Sequence, residues 1–393
     1  MIGRRRSALR LAPPCLVGLA AMVLLAGTPA APASAAGGPP YLHAPLASAL
    51  STPQGSWAVV AMGDLGQLTN TFWELFFRAP GGTSWKLVTP PGVADNGGLT
   101  VAIDASGTTT VGFEASQRLR SSPLALSSDD GSNWGPALVP TALAVSPDAL
   151  ALGSGGHTAL ALVRRGSGEV LQSTAQQMAW TPTPGASMLR DGSSPACRID
   201  GLTAVALGAG SVPMVGTGCR RAGQVGVFVR TGSRWKLTGP VLHAAGIGAT
   251  SVLRLDSSGG PSTALVVGAR RGGAAVVALW LSATGTWSQS PALSVGAGRP
   301  VLSSAVADGG EQVVLLGQRP SGAEVETVAV PGLRWTRVAD PPPGTRTVAP
   351  SGNGSIAAFA VHGSELRVFT LSPGAHVWAL TQRMSVDIAY GSS

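Results

Sequence analysis

Arginine is the residue type in this sequence whose placement could do chemistry. Nine arginines lie in short polar loops between apolar runs: Arg118, Arg120, Arg164, Arg165, Arg220, Arg221, Arg270, Arg271 and Arg319. Guanidinium groups bind carboxylate, sulfate or phosphate through paired N–H donors, and a clustered positive field attracts such anions. These loops are therefore candidate ligand-binding elements. The alternative is that they only keep exposed hairpins soluble.

Signals for other kinds of site are weak. The five histidines (His43, His157, His243, His362 and His376) have no metal-ligand spacing, so we expect no metal site. No Ser–His–Asp set, phosphate-binding loop or dinucleotide fingerprint stands out. Asp104, Asp256 and Asp308 precede glycine turns, where turn chemistry explains them. The sequence predicts no cofactor.

The N-terminus has the pattern of an export signal. Arg4, Arg5, Arg6 and Arg10 precede an apolar run from about Cys15 to Gly27, and Ala33-Ser34-Ala35 follows. This order predicts a secretory signal peptide over residues 1–35, cleaved after Ala35. A Pro/Gly-rich linker over 36–44 and a single domain over 45–393 then complete the predicted chain. Both general secretion and twin-arginine export fit the basic head.

Charge and cysteine content bound the class of the exported protein. Removing residues 1–35 leaves 23 cations against 19 anions, a net charge of about +4, which is too small for bulk nucleic-acid binding. Cys197 and Cys219 would be its two cysteines, and an oxidising compartment favours a disulfide between them. A hairpin turning at Gly208-Ala209-Gly210 would pair positions that sum to 416, as these two do.

A tryptophan recurs about every 50 residues and marks a structural repeat. The series is Trp85, Trp134, Trp180, Trp235, Trp287, Trp335 and Trp378, at intervals of 49, 46, 55, 52, 48 and 43 residues. Each unit contains short Val-rich runs bounded by Gly, Ser and Asp, which indicate antiparallel strands. The fifth unit, for example, has runs at Ser251–Leu255, Ser262–Gly268 and Ala275–Leu281 before Trp287. We predict an all-β, seven-bladed propeller of four-stranded blades.

Closure of this ring has two alternatives. Pro45–Leu50 can supply the inner strand of the first blade and leave Met384–Tyr390 as an extra strand. Alternatively, Ser385–Tyr390 supplies that inner strand, so that both termini share one blade. Either arrangement would remove an exposed sheet edge.

One tryptophan belongs to a specific motif. Ser127, Asp129, Gly131 and Trp134 fit the pattern S-x-D-x-G-x-x-W. This resembles the Asp-box, or BNR repeat, of sialidase-like propellers. The resemblance implies a structural turn between the third and fourth strands of a blade, on the face opposite the catalytic one.

The same resemblance raises glycoside hydrolysis as an alternative function. Phe77-Arg78-Ala79-Pro80 is similar to the arginine motif of those enzymes, but it leads into a turn rather than lying on an inner strand. The nucleophile there is a tyrosine paired with a glutamate. Neither Tyr41 nor Tyr390 has surroundings that match it.

In a seven-bladed propeller the nine loop arginines would lie between the second and third strands of blades two to six. They would then share one face, opposite the Asp-box turn. We expect a secreted, non-catalytic, monomeric protein that binds an anionic glycan, an envelope polymer or an acidic protein surface there. A sialidase-like hydrolase and a structural assembly factor of the cell envelope are the alternatives. Neither nucleic acid nor a membrane span is expected for the mature chain.

Overall fold

The computed structural model describes part of the chain, beginning after the predicted signal peptide and linker. The described residues are 47–63, 71–90, 99–113, 121–127, 130–140, 149–163, 169–174, 177–183, 196–221, 223–239, 250–257, 262–282, 284–296, 301–307, 310–319, 321–330, 332–351 and 353–386. The predicted signal peptide and linker lie outside these residues. No helix within them is long and apolar enough to cross a bilayer.

The described residues form successive four-stranded antiparallel sheets, numbered here 1 to 7 in chain order. Sheets 1 to 3 contain β1 (Ala47–Thr52), β2 (Gly55–Gly63), β3 (Thr71–Arg78), β4 (Lys86–Leu87), β5 (Leu99–Ile103), β6 (Thr109–Phe113), β7 (Ser121–Ser127), β8 (Gly135–Pro140), β9 (Ala149–Leu152), β10 (Ala159–Val163), β11 (Glu169–Ser173) and β12 (Thr181–Pro182). Sheets 4 and 5 contain β13 (Ile199–Gly208), β14 (Val212–Cys219), β15 (Val225–Thr231), β16 (Arg234–Gly239), β17 (Thr250–Asp256), β18 (Ser262–Arg270), β19 (Gly273–Leu281), β20 (Trp287–Gln289) and a short extra strand, β21 (Leu293–Val295). Sheets 6 and 7 contain β22 (Val301–Ala307), β23 (Gln312–Arg319), β24 (Gly322–Ala329), β25 (Thr336–Arg337), β26 (Thr345–Pro350), β27 (Ile356–His362), β28 (Glu365–Leu371) and β29 (Ala379–Ser385).

The order of strands within each sheet follows the chain, so every sheet is a meander from its first to its fourth strand. The predicted runs of the fifth unit coincide with β17, β18 and β19. One pairing departs from this pattern, because β1 also pairs in parallel with β22 and joins sheets 1 and 6 into one eight-stranded sheet. Two 3-10 turns, Ser154–Gly156 and Ala209–Ser211, connect the first two strands of sheets 3 and 4.

The hydrophobic core lies between neighbouring sheets. Separate clusters of buried side chains join sheets 1 and 2, 2 and 3, 3 and 4, 4 and 5, and 5 and 6, while the largest cluster joins sheets 6, 7 and 1. Because each sheet is covered on both sides, its middle strands are apolar almost throughout. In β19, for example, every residue from Ala274 to Trp280 is buried.

Four of the seven repeated tryptophans tie their sheet to the one before it. All seven lie directly before a fourth strand or within its first two residues, and the indole N–H groups of these four donate to a carbonyl of the preceding sheet. These bonds are Trp134 to Val88 (3.0 Å), Trp287 to Thr238 (3.0 Å), Trp335 to Pro291 (2.9 Å) and Trp378 to Ala339 (3.3 Å). Such contacts explain the tryptophan repeat as structure, since a buried indole needs a hydrogen-bond partner.

Sheet 7 contacts sheet 1 through glutamine and threonine side chains rather than through an indole N–H. The side-chain amide of Gln382 pairs with the backbone of Trp85, accepting from its N–H and donating to its carbonyl, each at 2.8 Å. The Thr347 hydroxyl donates to the Val59 carbonyl at 2.8 Å. The first strand of sheet 1 is β1, as the first closure alternative predicts. Met384 and Ser385 belong to the fourth strand of sheet 7, so neither the extra strand predicted to begin at Met384 nor the inner strand predicted to begin at Ser385 starts there. Residues 387–393 lie outside the described part.

A buried arginine fixes the parallel pair of strands. Arg254, on the first strand of sheet 5, is only 4% exposed and makes a two-pronged ion pair with Asp256. Its Nη1 also donates to the carbonyl of Ala49 on β1 at 2.7 Å and to that of Ser304 on β22 at 2.9 Å. One guanidinium therefore holds the first strands of sheets 1, 5 and 6 together. The turn role expected for Asp256 is replaced here by an ion pair.

The disulfide is present, but the register predicted for its hairpin is wrong. Cys197 and Cys219 are bonded, with their Cα atoms 5.1 Å apart. The turn lies at Ala209–Ser211 and Gly208 pairs with Val212, so the register near the turn is shifted from the predicted one. Two irregularities in β13 then shift the pairing toward the cysteines. The two sulfurs meet because bulges bend and slide a strand locally.

Candidate functional site

Five of the nine candidate arginines lie in described turns between second and third strands. Arg220 and Arg221 follow β14, Arg270 and Arg271 join β18 to β19, and Arg319 ends β23. Because the sheets are meanders, these turns lie at the strand ends opposite the turns that join third to fourth strands. Arg118, Arg120, Arg164 and Arg165 lie outside the described residues.

A third arginine, which the sequence alone did not single out, lies beside the turn of sheet 4, directly before β13. Arg198 follows Cys197, and its carbonyl accepts from the Arg220 N–H at 2.7 Å. All three side chains of this arginine cluster (Arg198, Arg220 and Arg221) are exposed. The adjacent disulfide is buried and ties the two chain segments that carry them. The signal was available, because pairing Cys197 with Cys219 places the residues that follow each cysteine side by side.

Among the residues whose side chains the structure describes, the arginine cluster has no ion-pair partner. Elsewhere, by contrast, Arg254 pairs with Asp256, Arg337 with Glu324 and Asp340, and Arg367 with Glu365. The cluster therefore concentrates positive charge that the described part of the protein does not neutralise. That arrangement costs electrostatic free energy by itself and favours a bound anion.

The turn of sheet 5 presents a second pair of arginines. Arg271 and Gly272 form a two-residue turn in which Gly272 has a φ of +80°. Arg271 is exposed, while Arg270 donates from Nη1 to the Ser294 hydroxyl at 3.3 Å. Ser294 lies on β21, which pairs with β19, so Arg270 is oriented without being neutralised.

A hydrogen bond connects the turns of sheets 4 and 5. The buried Thr250 hydroxyl, at the start of β17, donates to the carbonyl of Gln224 in the arginine-bearing turn of sheet 4. Thr250 pairs with Gly268, two residues before Arg270. The arginines of both turns therefore lie on the same side of adjoining sheets.

The turn of sheet 6 differs, because its arginine is neutralised. Arg319 makes ion pairs with Glu324 (2.6 Å) and Glu326 (3.0 Å) on the returning strand, and both glutamates are about 5% exposed. Arg337 also contacts Glu324, at 3.1 Å. Burial raises the pKa of Glu326, and the Arg319 charge opposes that rise. Arg319 therefore belongs to an internal network rather than to a free anion site.

Sheet 7 is likewise compensated at this end. Glu365 pairs with Arg367 at 2.7 Å and with Arg383 at 3.4 Å. The hydrogen bond from Arg367 lowers the pKa of Glu365, and His362 is exposed beside it. Unpaired arginines of the described turns on this face are thus confined to sheets 4 and 5.

The motif at Trp134 forms a structural turn at the opposite end of sheet 2. The Gly131 N–H donates to the Ser127 hydroxyl at 2.9 Å, and Gly131 has a φ of +81°. A Cβ at Gly131 would lie 2.8 Å from the Cβ of Val88, so glycine is required there. Asp129 lies outside the described residues. Sheet 3 has a similar bond, in which the Gln177 N–H donates to the Ser173 hydroxyl at 3.0 Å. Ser173 precedes Trp180 by seven residues, as Ser127 precedes Trp134, so sheet 3 repeats the turn without the Asp and Gly.

The arginine considered for sugar hydrolysis lies on a third strand. Arg78 ends β3, and its guanidinium carbon is 5.4 Å from the centre of the Trp85 ring. Burial lowers the pKa of Arg78. Tyr41 and Tyr390 lie outside the described residues. No group of three or more His, Cys, Asp or Glu side chains that could hold a metal occurs in the described part of the chain.

Comparison with known proteins identifies the fold and nothing finer. No protein-family model and no curated protein matches this chain. Among solved structures, a 6-phosphogluconolactonase-like protein of Bacteroides uniformis has 12% identity and a TM-score of 0.53, over 85% of this chain and 97% of its own. A protein of Lactobacillus plantarum has 11% identity and a TM-score of 0.51, over 84% and 96%. The GH74 xyloglucanase of Xanthomonas campestris has 14% identity and a TM-score of 0.51, over 84% of this chain and 53% of the enzyme. At this level of identity the likenesses show architecture alone, and with the succession of four-stranded meanders they make this chain a β-propeller.

Proposed function

We propose that this protein is a secreted, non-catalytic binding protein that holds an acidic ligand on the arginine-bearing turns of sheets 4 and 5. The observation that carries the proposal is the arginine cluster. Its three exposed guanidinium groups have no ion-pair partner among the described side chains, whereas Arg319 of sheet 6 and Arg367 and Arg383 of sheet 7 at the same end are paired with glutamates. Carboxylate, sulfate and phosphate are the groups that such a cluster recognises.

Two further parts of the proposal concern architecture and location. We infer that the seven sheets are the blades of one closed ring, supported by the sheet-to-sheet tryptophan bonds and by the Gln382–Trp85 contact. We infer export from the N-terminal sequence, and the disulfide agrees with an oxidising compartment. The Ser127–Gly131 turn supports a relationship to Asp-box propellers.

The site favours binding because its backbone is held in place before a ligand arrives. A disulfide ties Cys197 to Cys219, Arg220 bonds to Arg198 through the backbone, and the Gln224 carbonyl is anchored by Thr250. A turn fixed in this way loses less conformational entropy when it binds a ligand. Since the side chains remain exposed, each arginine should contribute about 0.5–1 kcal/mol rather than the larger value of a buried charge pair.

The test compares two double variants on a glycan array that carries neutral, sialylated and sulfated glycans. The variant R220S/R221S removes charge from the proposed site. The control R234S/R334S removes the same charge from two exposed arginines at the opposite end of sheets 4 and 6, where Arg234 opens β16 and Arg334 lies in the turn before β25. We expect wild type and control to be retained on acidic glycans, and R220S/R221S to bind about 5- to 30-fold more weakly.

Three results would contradict the proposal. Equal retention of both double variants would remove the arginine cluster from the site. Retention on neutral glycans would show that charge is not what is recognised. Loss of terminal sugars from the array would make the protein a hydrolase and contradict a binding-only role.

A further inference from the structure

We infer that the arginine turns of sheets 4 and 5 act as one elongated site for a linear acidic polysaccharide, and that Glu324 and Glu326 end the site at sheet 6. The inference rests on the proposed function and deepens it, because it specifies the class of ligand and the extent of the surface.

The first step is the separation of the two sets of arginines. Gln224 O accepts from Thr250, and Gln224 N donates to Arg221 O at 3.2 Å, so Thr250 lies close to the sheet 4 turn. Thr250 pairs with Gly268 across about 5 Å, and Arg270 is two residues, or about 7 Å, further along β18. The two sets therefore occupy successive positions along this face, and a chain that carries several acidic groups can place a separate acidic group on each.

The second step is the boundary. The chain that follows β21 in sheet 5 contacts the turn of sheet 6, where the Gly296 N–H donates to the Gln318 carbonyl at 2.7 Å. The next side chain, Arg319, would extend the row of cations by one sheet. It is instead held by Glu324 and Glu326. A polyanion that crosses from sheet 5 to sheet 6 would therefore find there an arginine whose charge is already neutralised by buried carboxylates.

The third step distinguishes a polysaccharide from a protein partner. The centre of a protein–protein interface is apolar and enriched in aromatic residues. The exposed large apolar side chains of the described residues all lie on fourth strands or in the turns before them: Leu87, Met178, Val330, Val377 and Leu380. None lies in the arginine turns. A hydrated acidic polymer is bound mainly through its charges and does not need an apolar patch.

The experiment measures dissociation constants for acidic sugars of two lengths. The probes are galacturonate and hexagalacturonate, a sulfated heparin disaccharide and hexasaccharide, and a hexaglutamate peptide of the same charge as hexagalacturonate. The protein is the mature chain, as wild type, R220S/R221S, R270S/R271S and the combined variant. We expect at least one hexasaccharide to bind about tenfold or more tightly than its short counterpart, because the second contact becomes intramolecular. Each double variant should remove that advantage.

A second pair of variants adds charge instead of removing it. Ser294 is exposed and contacts Arg270, so S294E should neutralise Arg270 as Glu324 and Glu326 neutralise Arg319. We expect S294E to weaken hexasaccharide binding about as much as R270S/R271S does. The control S288E adds the same charge on the exposed fourth strand β20 and should leave binding unchanged.

E324Q/E326Q tests the boundary at sheet 6. It should free Arg319 and tighten binding of the hexasaccharide several-fold.

Each negative result contradicts a different part of the inference or the proposed function on which it rests. If short and long sugars bind equally and R220S/R221S still weakens both, the elongated site is wrong and the anion site stands. Hexaglutamate that binds as tightly as the best hexasaccharide would assign the surface to an acidic polypeptide. If E324Q/E326Q folds, with an unchanged circular dichroism spectrum, and gains no affinity, the boundary is wrong. If neither R220S/R221S nor S294E changes binding of any probe, the proposed function itself fails.

Discussion

Replacing Arg254 by methionine tests the buried contact that holds three sheets together. Methionine keeps an unbranched apolar chain, similar in length to the aliphatic part of the arginine side chain, but removes every hydrogen-bond donor. The substitution leaves the Asp256 carboxylate without its arginine and removes the hydrogen bonds that Arg254 donates to the carbonyls of Ala49 and Ser304. Breaking a buried ion pair from one side costs about 3–5 kcal/mol.

This cost can be converted into a melting temperature. The predicted domain covers residues 45–393, and an unfolding entropy of about 2.1 cal/mol/K per residue gives about 0.7 kcal/mol/K for that length. The expected decrease for R254M is therefore about 4–7 °C in differential scanning calorimetry. Adding D256N should recover part of it, because the unpaired charge is then removed.

The control is R234M, which makes the same substitution at an exposed arginine of sheet 4. We expect it to melt within about 1 °C of wild type, as surface substitutions usually do. If R254M also melted within that range, the account of Arg254 as the residue that fixes β1 against β22 would be refuted.

Three other predictions concern stability. Burial raises the pKa of Glu74, against a smaller lowering effect of the Thr89 hydroxyl, so the contribution of Glu74 to stability falls as pH rises through its native pKa. E74Q should therefore melt higher than wild type at pH 8 and at about the same temperature at pH 4. An equal change in melting temperature at both pH values would contradict this. Removing the Gln382 amide in Q382A deletes both bonds to Trp85 and should cost about 1–3 kcal/mol in calorimetry; unchanged melting would show that this contact does not hold sheets 7 and 1 together. The variant C197A/C219A removes a disulfide with a sequence separation of 22 residues and should lose about 3 kcal/mol of stability. Two reactive thiols in unfolded, unreduced mature wild type would disprove the bond.

The strand rhythm could be predicted from sequence because each sheet is local. Four consecutive runs, separated by Gly, Ser and Asp turns, pair with their chain neighbours, as β17 to β20 do. The tryptophan spacing follows from the same fact, since four of the seven indoles donate to the sheet just before their own.

Contacts between distant sheets could not be predicted in this way. The parallel pair of β1 and β22 depends on how sheets 1, 6 and 7 meet, and no local pattern encodes it. Arg254 had a readable signal, because a charged residue in a buried strand with Asp256 two positions on requires a partner. The hairpin of sheet 4 was placed in the wrong register because bulges in β13 are invisible in a simple count of positions.

The candidate site was partly readable. The turn positions of Arg220, Arg221, Arg270 and Arg271 follow from the strand rhythm. That Arg319 differs from them follows from its hairpin register, which returns the buried Glu324 and Glu326 toward it. Alternating acids on the strand after an arginine turn are thus the feature that separates a paired arginine from a free one.

The most direct test of the central claim is the salt dependence of binding to the acidic glycan that the array identifies, for the mature wild type and for R220S/R221S. Exposed charges are screened over about 10 Å at 0.1 M salt, so wild-type affinity should fall steadily as salt increases. The account predicts that R220S/R221S binds more weakly at low salt and with a flatter dependence, while R234S/R334S follows wild type. Parallel curves of equal affinity for all three proteins would contradict an anion site at the arginine cluster.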